Sequence, residues 1–129
     1  MAETLYTVRN LKLFNRLNKC IKQGITDLQN KDLDSAENYL NFASKTAKQL
    51  VGLSEDKYKE HFEKIIEGID RFKDSRDEDV LVSTRPESVH SQLWAVHKKI
   101  CDDFNIPYVE DVDEMEEQIS KLAEEGKIS

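Results

Sequence analysis

The fold of this chain is decided by residues 33–50, LDSAENYLNFASKTAKQL. Apolar side chains recur there at alternating steps of three and four, which aligns them on one face of a helix. This alanine stripe consists of Leu33, Ala36, Leu40, Ala43, Ala47 and Leu50. Its alanines allow a neighbouring helix to approach closely, and Tyr39 and Phe42 widen the apolar face. The pattern predicts the central helix of a bundle, with partners on more than one side and Gly52 as its C-cap.

Helical periodicity continues on both sides of this stretch. The sequence predicts one helix over residues 10–29 and another over residues 54–73, with Asn10 and Ser54 as their N-caps. Their apolar stripes are Leu11, Phe14, Leu17, Ile21, Ile25 and Leu28 in the first, and Tyr58, Phe62, Ile65, Ile69 and Phe72 in the second. Because the connectors are short, residues 10–73 are predicted to form an antiparallel three-helix unit.

The helical pattern breaks at residues 74–85, DSRDEDVLVSTR. This segment predicts an irregular acidic connector. We expect its apolar triplet, residues 80–82, to tuck against the bundle as a loop. The alternative is a short extended segment that pairs with a strand of a partner.

Two further helices are predicted over residues 86–126. Pro86 suits the first turn of the earlier helix, and Thr84 and Glu87 stand in capping-box spacing. Asp111 and Glu114 have the same spacing at the start of the later helix, which Gly126 ends. The chain is therefore predicted to be an all-α protein of about five helices, in a single domain over residues 1–129.

Composition limits the class of protein. With only four glycines and two prolines in 129 residues, long helices in one domain are favoured. Cys20 and Cys101 lie far apart inside helical patterns, which predicts reduced thiols instead of a disulfide framework. The first ten residues, MAETLYTVRN, lack the order of a signal peptide, and no apolar run is long enough to span a bilayer. These features predict a soluble, cytoplasmic protein that does not enter a membrane.

Charge is distributed unevenly along the chain. Residues 1–51 carry eight Lys/Arg against five Asp/Glu, whereas residues 87–129 carry four against eleven, within a net charge of −7. On the first helix a basic stripe recurs at helical spacing: Arg9, Lys12, Arg16 and Lys19. This asymmetry leaves internal complementarity, head-to-tail self-association and two oppositely charged partners open, beside the simpler interpretation of solvated helix faces.

The first two predicted helices resemble a known type of hairpin. Residues 11–50, LKLFNRLNKCIKQGITDLQNKDLDSAENYLNFASKTAKQL, are similar to the helical hairpins of tetratricopeptide modules and of microtubule-interacting-and-trafficking modules. In those hairpins an acidic turn precedes a helix with alanine at its packing positions. The chain holds no second copy of the pattern, so we expect no repeat array.

Catalytic and metal-binding motifs are missing from the sequence. The four glycines are isolated, which excludes a glycine-rich phosphate loop, and neither a nucleophile elbow nor paired-cysteine zinc spacing occurs. His97 and Cys101 lie one turn apart, but two ligands do not make a structural zinc site. His61 lacks the Glu-x-x-His pairing of helical metal bundles, so a surface imidazole is expected. The sequence predicts no enzyme, no cofactor and no metal.

Binding of another protein is therefore the predicted function, as an adaptor, regulator or inhibitor. An aromatic surface around Trp94, His97 and Tyr108, with Leu5 and Tyr6 from the N-terminal arm, would dock a partner or a second copy of the chain. The more common alternative is that Trp94 belongs to the core. Two alternatives use charge: the basic stripe contacts nucleic-acid phosphates, or C-terminal acids mimic a nucleic acid. The acids proposed for that mimicry include Asp111, Glu114 and Glu117. The sequence names neither the partner nor the process.

Overall fold

A computed structural model describes residues 8–53, 56–83, 85–86 and 88–128. Within these ranges the chain is all-α, as predicted, with five α-helices, one short 3₁₀ turn and no strand. The helices are α1 (Val8–Gln29), α2 (Leu33–Leu53), α3 (Asp56–Ser75), α4 (Val89–Asp103) and α5 (Val112–Glu124), and the 3₁₀ turn is Glu78–Val80. The predicted cap Ser54, the capping pair Thr84 and Glu87, and the arm residues Leu5 and Tyr6 lie outside the described residues.

The alanine stripe of α2 packs against α1 and α3. Its five residues from Ala36 to Leu50 are fully buried. The prediction was wrong for Leu33 and Phe42, whose side chains are 50% and 59% exposed. Leu33 is the first residue of α2, and Phe42 faces solvent on the side away from the stripe. Gly52 lies inside the last turn of α2 and not at a C-cap.

The first helix, α1, connects the C-terminal helices to the rest of the bundle. It packs against α2 and α5. Its Phe14 ring also lies 6.1 Å from the ring of Phe62 on α3 and 5.5 Å from the ring of His97 on α4, between centroids. The helix starts at Val8, so Asn10, the predicted N-cap, is an interior position and is buried. The prediction that α2 lies between α1 and α3 is confirmed, since α2 packs against both helices.

The connector between α3 and α4 tucks onto the bundle only in part, because Val82 of the predicted apolar triplet is 40% exposed. Leu81 is fully buried, and its carbonyl accepts a hydrogen bond from the His90 N–H at 2.8 Å. The prediction that α4 begins near Pro86 was wrong. Ser88 is the N-cap instead, because its hydroxyl accepts from the Ser91 N–H at 3.2 Å, so the helix begins at Val89.

Close packing joins the two helices that flank this connector. A Cβ added to Gly68 of α3 would meet the Val89 side chain at 2.5 Å, so only glycine fits at that crossing.

The last helix, α5, is fixed on α1 at its N-terminal end. The predicted cap is confirmed, since the Asp111 carboxylate accepts from the Asp113 and Glu114 N–H groups at 2.8 and 3.0 Å. Asn15 of α1 donates to the Val112 carbonyl at 2.9 Å. Gly126, with φ +73°, follows the helix where the sequence predicted its end.

No helix in the described ranges has the length and apolarity needed to cross a bilayer.

Replacing Ala43 by leucine should lower the free energy of unfolding by about 1 to 3 kcal/mol. Ala43 is fully buried where α2 faces its neighbours, so three added heavy atoms must displace packed side chains. Asn41→Leu is the matched control, because Asn41 is exposed on the same helix and should change stability by less than about 0.5 kcal/mol. Urea denaturation measures both values, and equal effects would show that the alanine stripe does not form a tight contact.

Candidate functional site

An aromatic patch lies at the surface of α4. It consists of Trp94 and Tyr108, whose side chains are 45% and 36% exposed, with the ring of His97 buried beside them. The Trp94 and Tyr108 rings meet edge to face, with centroids 6.3 Å apart, and the Tyr108 and His97 centroids are 4.9 Å apart. The structure thus brings together the three aromatic residues that the sequence singled out.

The turn after α4 places Tyr108 in this patch. Asn105 adopts φ +55°, a left-handed conformation that asparagine tolerates, and the Ile106 N–H donates back to the Cys101 carbonyl at 3.0 Å. The chain therefore reverses at the end of the helix. Lys22 of α1 then donates to the Glu110 carbonyl, which holds the segment between α4 and α5 against α1.

A buried polar contact supports the patch from below. His97 is 2% exposed, and its Nδ1 lies 3.3 Å from Nδ2 of Asn18, which is also buried. Within the described ranges, His97 Nε2 and Asn18 Oδ1 have no hydrogen-bond partner. Both residues line a small cavity of about 50 Å³ that Trp94 and Tyr108 also border. Buried polar atoms are normally satisfied, so this cavity suits a polar atom from outside the chain.

The titrating side chains of the patch are uncharged at neutral pH. Burial lowers the pKa of His97 to about 4, and the positive charge of Lys22 acts in the same direction. Burial also raises the pKa of Tyr108 to about 12, with the negative charge of Glu110 adding to the effect. Charged groups stand around the patch instead, and the Lys98 ammonium lies 5.1 Å from the centroid of the Trp94 ring.

Neither cysteine has the exposed thiol with a lowered pKa that a nucleophile needs. Cys20 and Cys101 are free and buried. Burial raises the pKa of the Cys101 thiol to about 11 and also raises the pKa of Cys20. In the part of the chain that the structure describes, no three His, Cys, Asp or Glu side chains come together as a metal site.

His61 is half-buried, not at the surface as expected, and its Nδ1 lies 2.8 Å from Oε1 of Gln92.

The basic stripe of α1 is exposed and borders two grooves. All four of its cations face solvent: Arg9, Lys12, Arg16 and Lys19. Between α1 and α5, the last three line a groove with Asp113 and Glu116. Basic residues of the N-terminal part and acidic residues of the C-terminal part therefore lie beside each other in one molecule. This arrangement agrees with internal complementarity, one of the interpretations that the charge asymmetry left open.

The predicted acidic residues differ in their surroundings. The Asp111 carboxylate is already hydrogen-bonded as the cap of α5, so part of its role is structural. Glu114 and Glu117 are exposed on α5. The structure therefore gives two separate candidate surfaces, the aromatic patch and the basic stripe, with the acids of α5 beside the second.

Sequence reasoning missed three residues that shape these surfaces. Asn18 supports the aromatic patch, Asn15 anchors α5, and Lys48 of α2 joins three cations of the basic stripe around one concavity. The asparagines carried a weak signal, since they lie beside the apolar stripe of α1 at helical spacing. Nothing in the sequence marked Lys48.

Comparison with known proteins adds no assignment. No protein-family model matches the chain, and neither a curated protein nor a solved structure matches it. Fold and surface chemistry are therefore the basis for a functional proposal.

Proposed function

We propose that this protein acts without catalysis, by binding another protein through the aromatic patch. The observation that carries the proposal is the exposure of Trp94 and Tyr108, 45% and 36%, in a chain that buries most of its other large apolar side chains. Tryptophan and tyrosine are enriched among the residues that dominate protein interfaces. A partner that covers both rings would remove this apolar area from water.

The surroundings of the patch match the usual anatomy of an interface. Its centre is aromatic and uncharged, and Lys98, Lys22 and Glu110 stand at its border. The small cavity beneath the rings has a polar lining, because His97 and Asn18 border it and His97 Nε2 has no hydrogen-bond partner among the described residues.

The buried thiols support the non-enzymatic part of the proposal. A cysteine whose pKa is raised is mostly protonated at neutral pH and is a poor nucleophile. His97 is neutral there, but its ring is enclosed by Asn18, Phe14 and Tyr108. We therefore assign it to the support of the patch and not to proton transfer.

Site-specific crosslinking tests the proposal. A photoreactive benzoylphenylalanine in place of Trp94 or Tyr108 should crosslink one defined protein in extracts of the source cells. The same group in place of Phe42, an aromatic side chain that is 59% exposed on α2, is the matched control and should not. A crosslink to a second copy of this chain would identify self-association, which light scattering across a concentration series would confirm.

Trp94→Ala should then weaken binding of the crosslinked protein by about ten- to a hundredfold, as expected for a central aromatic residue. Phe42→Ala should leave the affinity within about twofold. Circular dichroism and urea denaturation check that both variants fold, since Trp94 is 45% and Phe42 59% exposed. Equal affinities of the two variants would contradict the role of the patch.

A further inference from the structure

A basic concavity lies between α1 and α2, away from the aromatic patch. Its volume is about 770 Å³, and four of the eight described residues that line it are cations: Arg9, Lys12 and Arg16 from α1, and Lys48 from α2. None of these eight described residues is acidic. A small-molecule site typically has a volume of about 300 to 1,000 Å³, so the space fits a small ligand and not a single ion.

None of the four cations forms an ion pair with an acidic side chain in the described ranges. All four are exposed, and none of the ion pairs formed by the described residues involves them. Positive charges around one concavity repel each other and attract an anion, because their fields add in the space between them. An anion with several negative charges would gain most from that arrangement.

The chemistry of the side chains favours phosphate. Two guanidinium groups, on Arg9 and Arg16, offer paired N–H donors that match phosphate oxygens, and Lys12 and Lys48 supply compact charges. The backbone positions of Arg9 and Arg16 lie about 10 Å apart along α1, and Lys12 lies between them. A ligand with several linked phosphate groups can contact all of these cations at once.

The surroundings favour a compact ligand over a nucleic-acid strand. Asp113 and Glu116 line the groove on the other side of the basic stripe, so a longer polyanion that crossed the stripe would meet negative charge. Among the described residues that line the concavity, none is an aromatic side chain on which a base could stack. We propose that the concavity between α1 and α2 binds a small polyphosphate ligand through Arg9, Lys12, Arg16 and Lys48.

Isothermal titration with sodium triphosphate tests this site on the full chain. We expect one molecule bound per chain at about 50 mM salt, with an affinity that falls as salt is raised. ATP and inositol hexakisphosphate, titrated in parallel, distinguish a nucleotide from an inositol phosphate as the source of the phosphates. Absence of triphosphate binding at low salt would overturn the proposal.

Matched variants distinguish specific binding in the concavity from non-specific attraction to the positive charge of α1. Arg9→Gln combined with Lys48→Gln should weaken triphosphate binding by at least about tenfold, since two charged donors are lost. Lys19→Gln is the control, because Lys19 belongs to the basic stripe but does not line the concavity, and it should change the affinity by less than about twofold.

Lys48→Arg keeps the charge and should retain binding. Equal weakening by Lys19→Gln would contradict the site. The basic stripe would instead be a nucleic-acid site if two results were found together. A single-stranded oligonucleotide would have to bind more tightly than triphosphate, and Lys19→Gln would have to weaken its binding as much as the double variant does.

Discussion

Replacing Phe14 by alanine should lower the free energy of unfolding by about 3 to 5 kcal/mol, the largest effect that we expect from a single substitution. The side chain is fully buried at the point where α1 meets α3 and α4, next to Phe62 and His97. Three helices frame the space that the ring fills, so their backbones cannot all move in to close the cavity. Urea denaturation should show a lower midpoint with an unchanged slope.

Phe42→Ala is the control for this experiment, because the same atoms are removed from a side chain that is 59% exposed. We expect it to change stability by less than about 0.5 kcal/mol. A double-mutant cycle between Phe14→Leu and Phe62→Leu should give a coupling of about 0.5 to 1.5 kcal/mol for the tilted ring pair. Similar losses from Phe14→Ala and Phe42→Ala would show that the Phe14 ring is not tightly packed between α1, α3 and α4.

Acidification should weaken the fold through His97. The pKa of this side chain is about 4 in the folded chain, against an ordinary value of 6.5, because burial opposes its charging. Between these values the unfolded chain binds a proton that the folded chain does not, so stability falls as the pH is lowered through this range. Between about pH 7.5 and pH 4.5 we expect a loss of about 2 to 3 kcal/mol from this residue.

The His97→Gln variant isolates that contribution from other titrating groups. Glutamine retains a hydrogen-bonding group beside Asn18 but has no proton to gain in this range. Free energies of unfolding from urea denaturation, measured at several pH values for both proteins, should show a shallower dependence on pH for the variant. Parallel curves would mean that His97 takes up a proton equally well in the folded chain.

The aromatic patch was partly predictable because its residues carry strong local signals. Trp94 and His97 lie three residues apart on a predicted helix, and Tyr108 follows just after the helix ends. The exposure of Trp94 was not predictable, because periodicity reports which residues share a face but not how far the neighbouring helices extend over it. Lys48 shows the same limit, since α1 and α2 bring it beside Arg9 and Arg16 only when they pack.

The burial of three asparagines in α1 was not predictable from the sequence. Asn10, Asn15 and Asn18 count as polar in a hydrophobic pattern, and none of them belongs to the apolar stripe of α1. In the folded chain these three side chains are buried, and Asn15 and Asn18 contact α5 and α4 through hydrogen bonds. A polar side chain is buried when another element supplies its partner, and a sequence does not show that partner.

The sequence by itself determined the five helices and the alanine stripe of α2, because helical periodicity and capping are local properties of the chain. It also determined the cap at Asp111. Tertiary structure alone decided that the Trp94 and Tyr108 rings meet, that Leu33 and Phe42 are exposed and that His97 is buried on Asn18. These outcomes depend on contacts between residues distant in sequence, which no local pattern encodes.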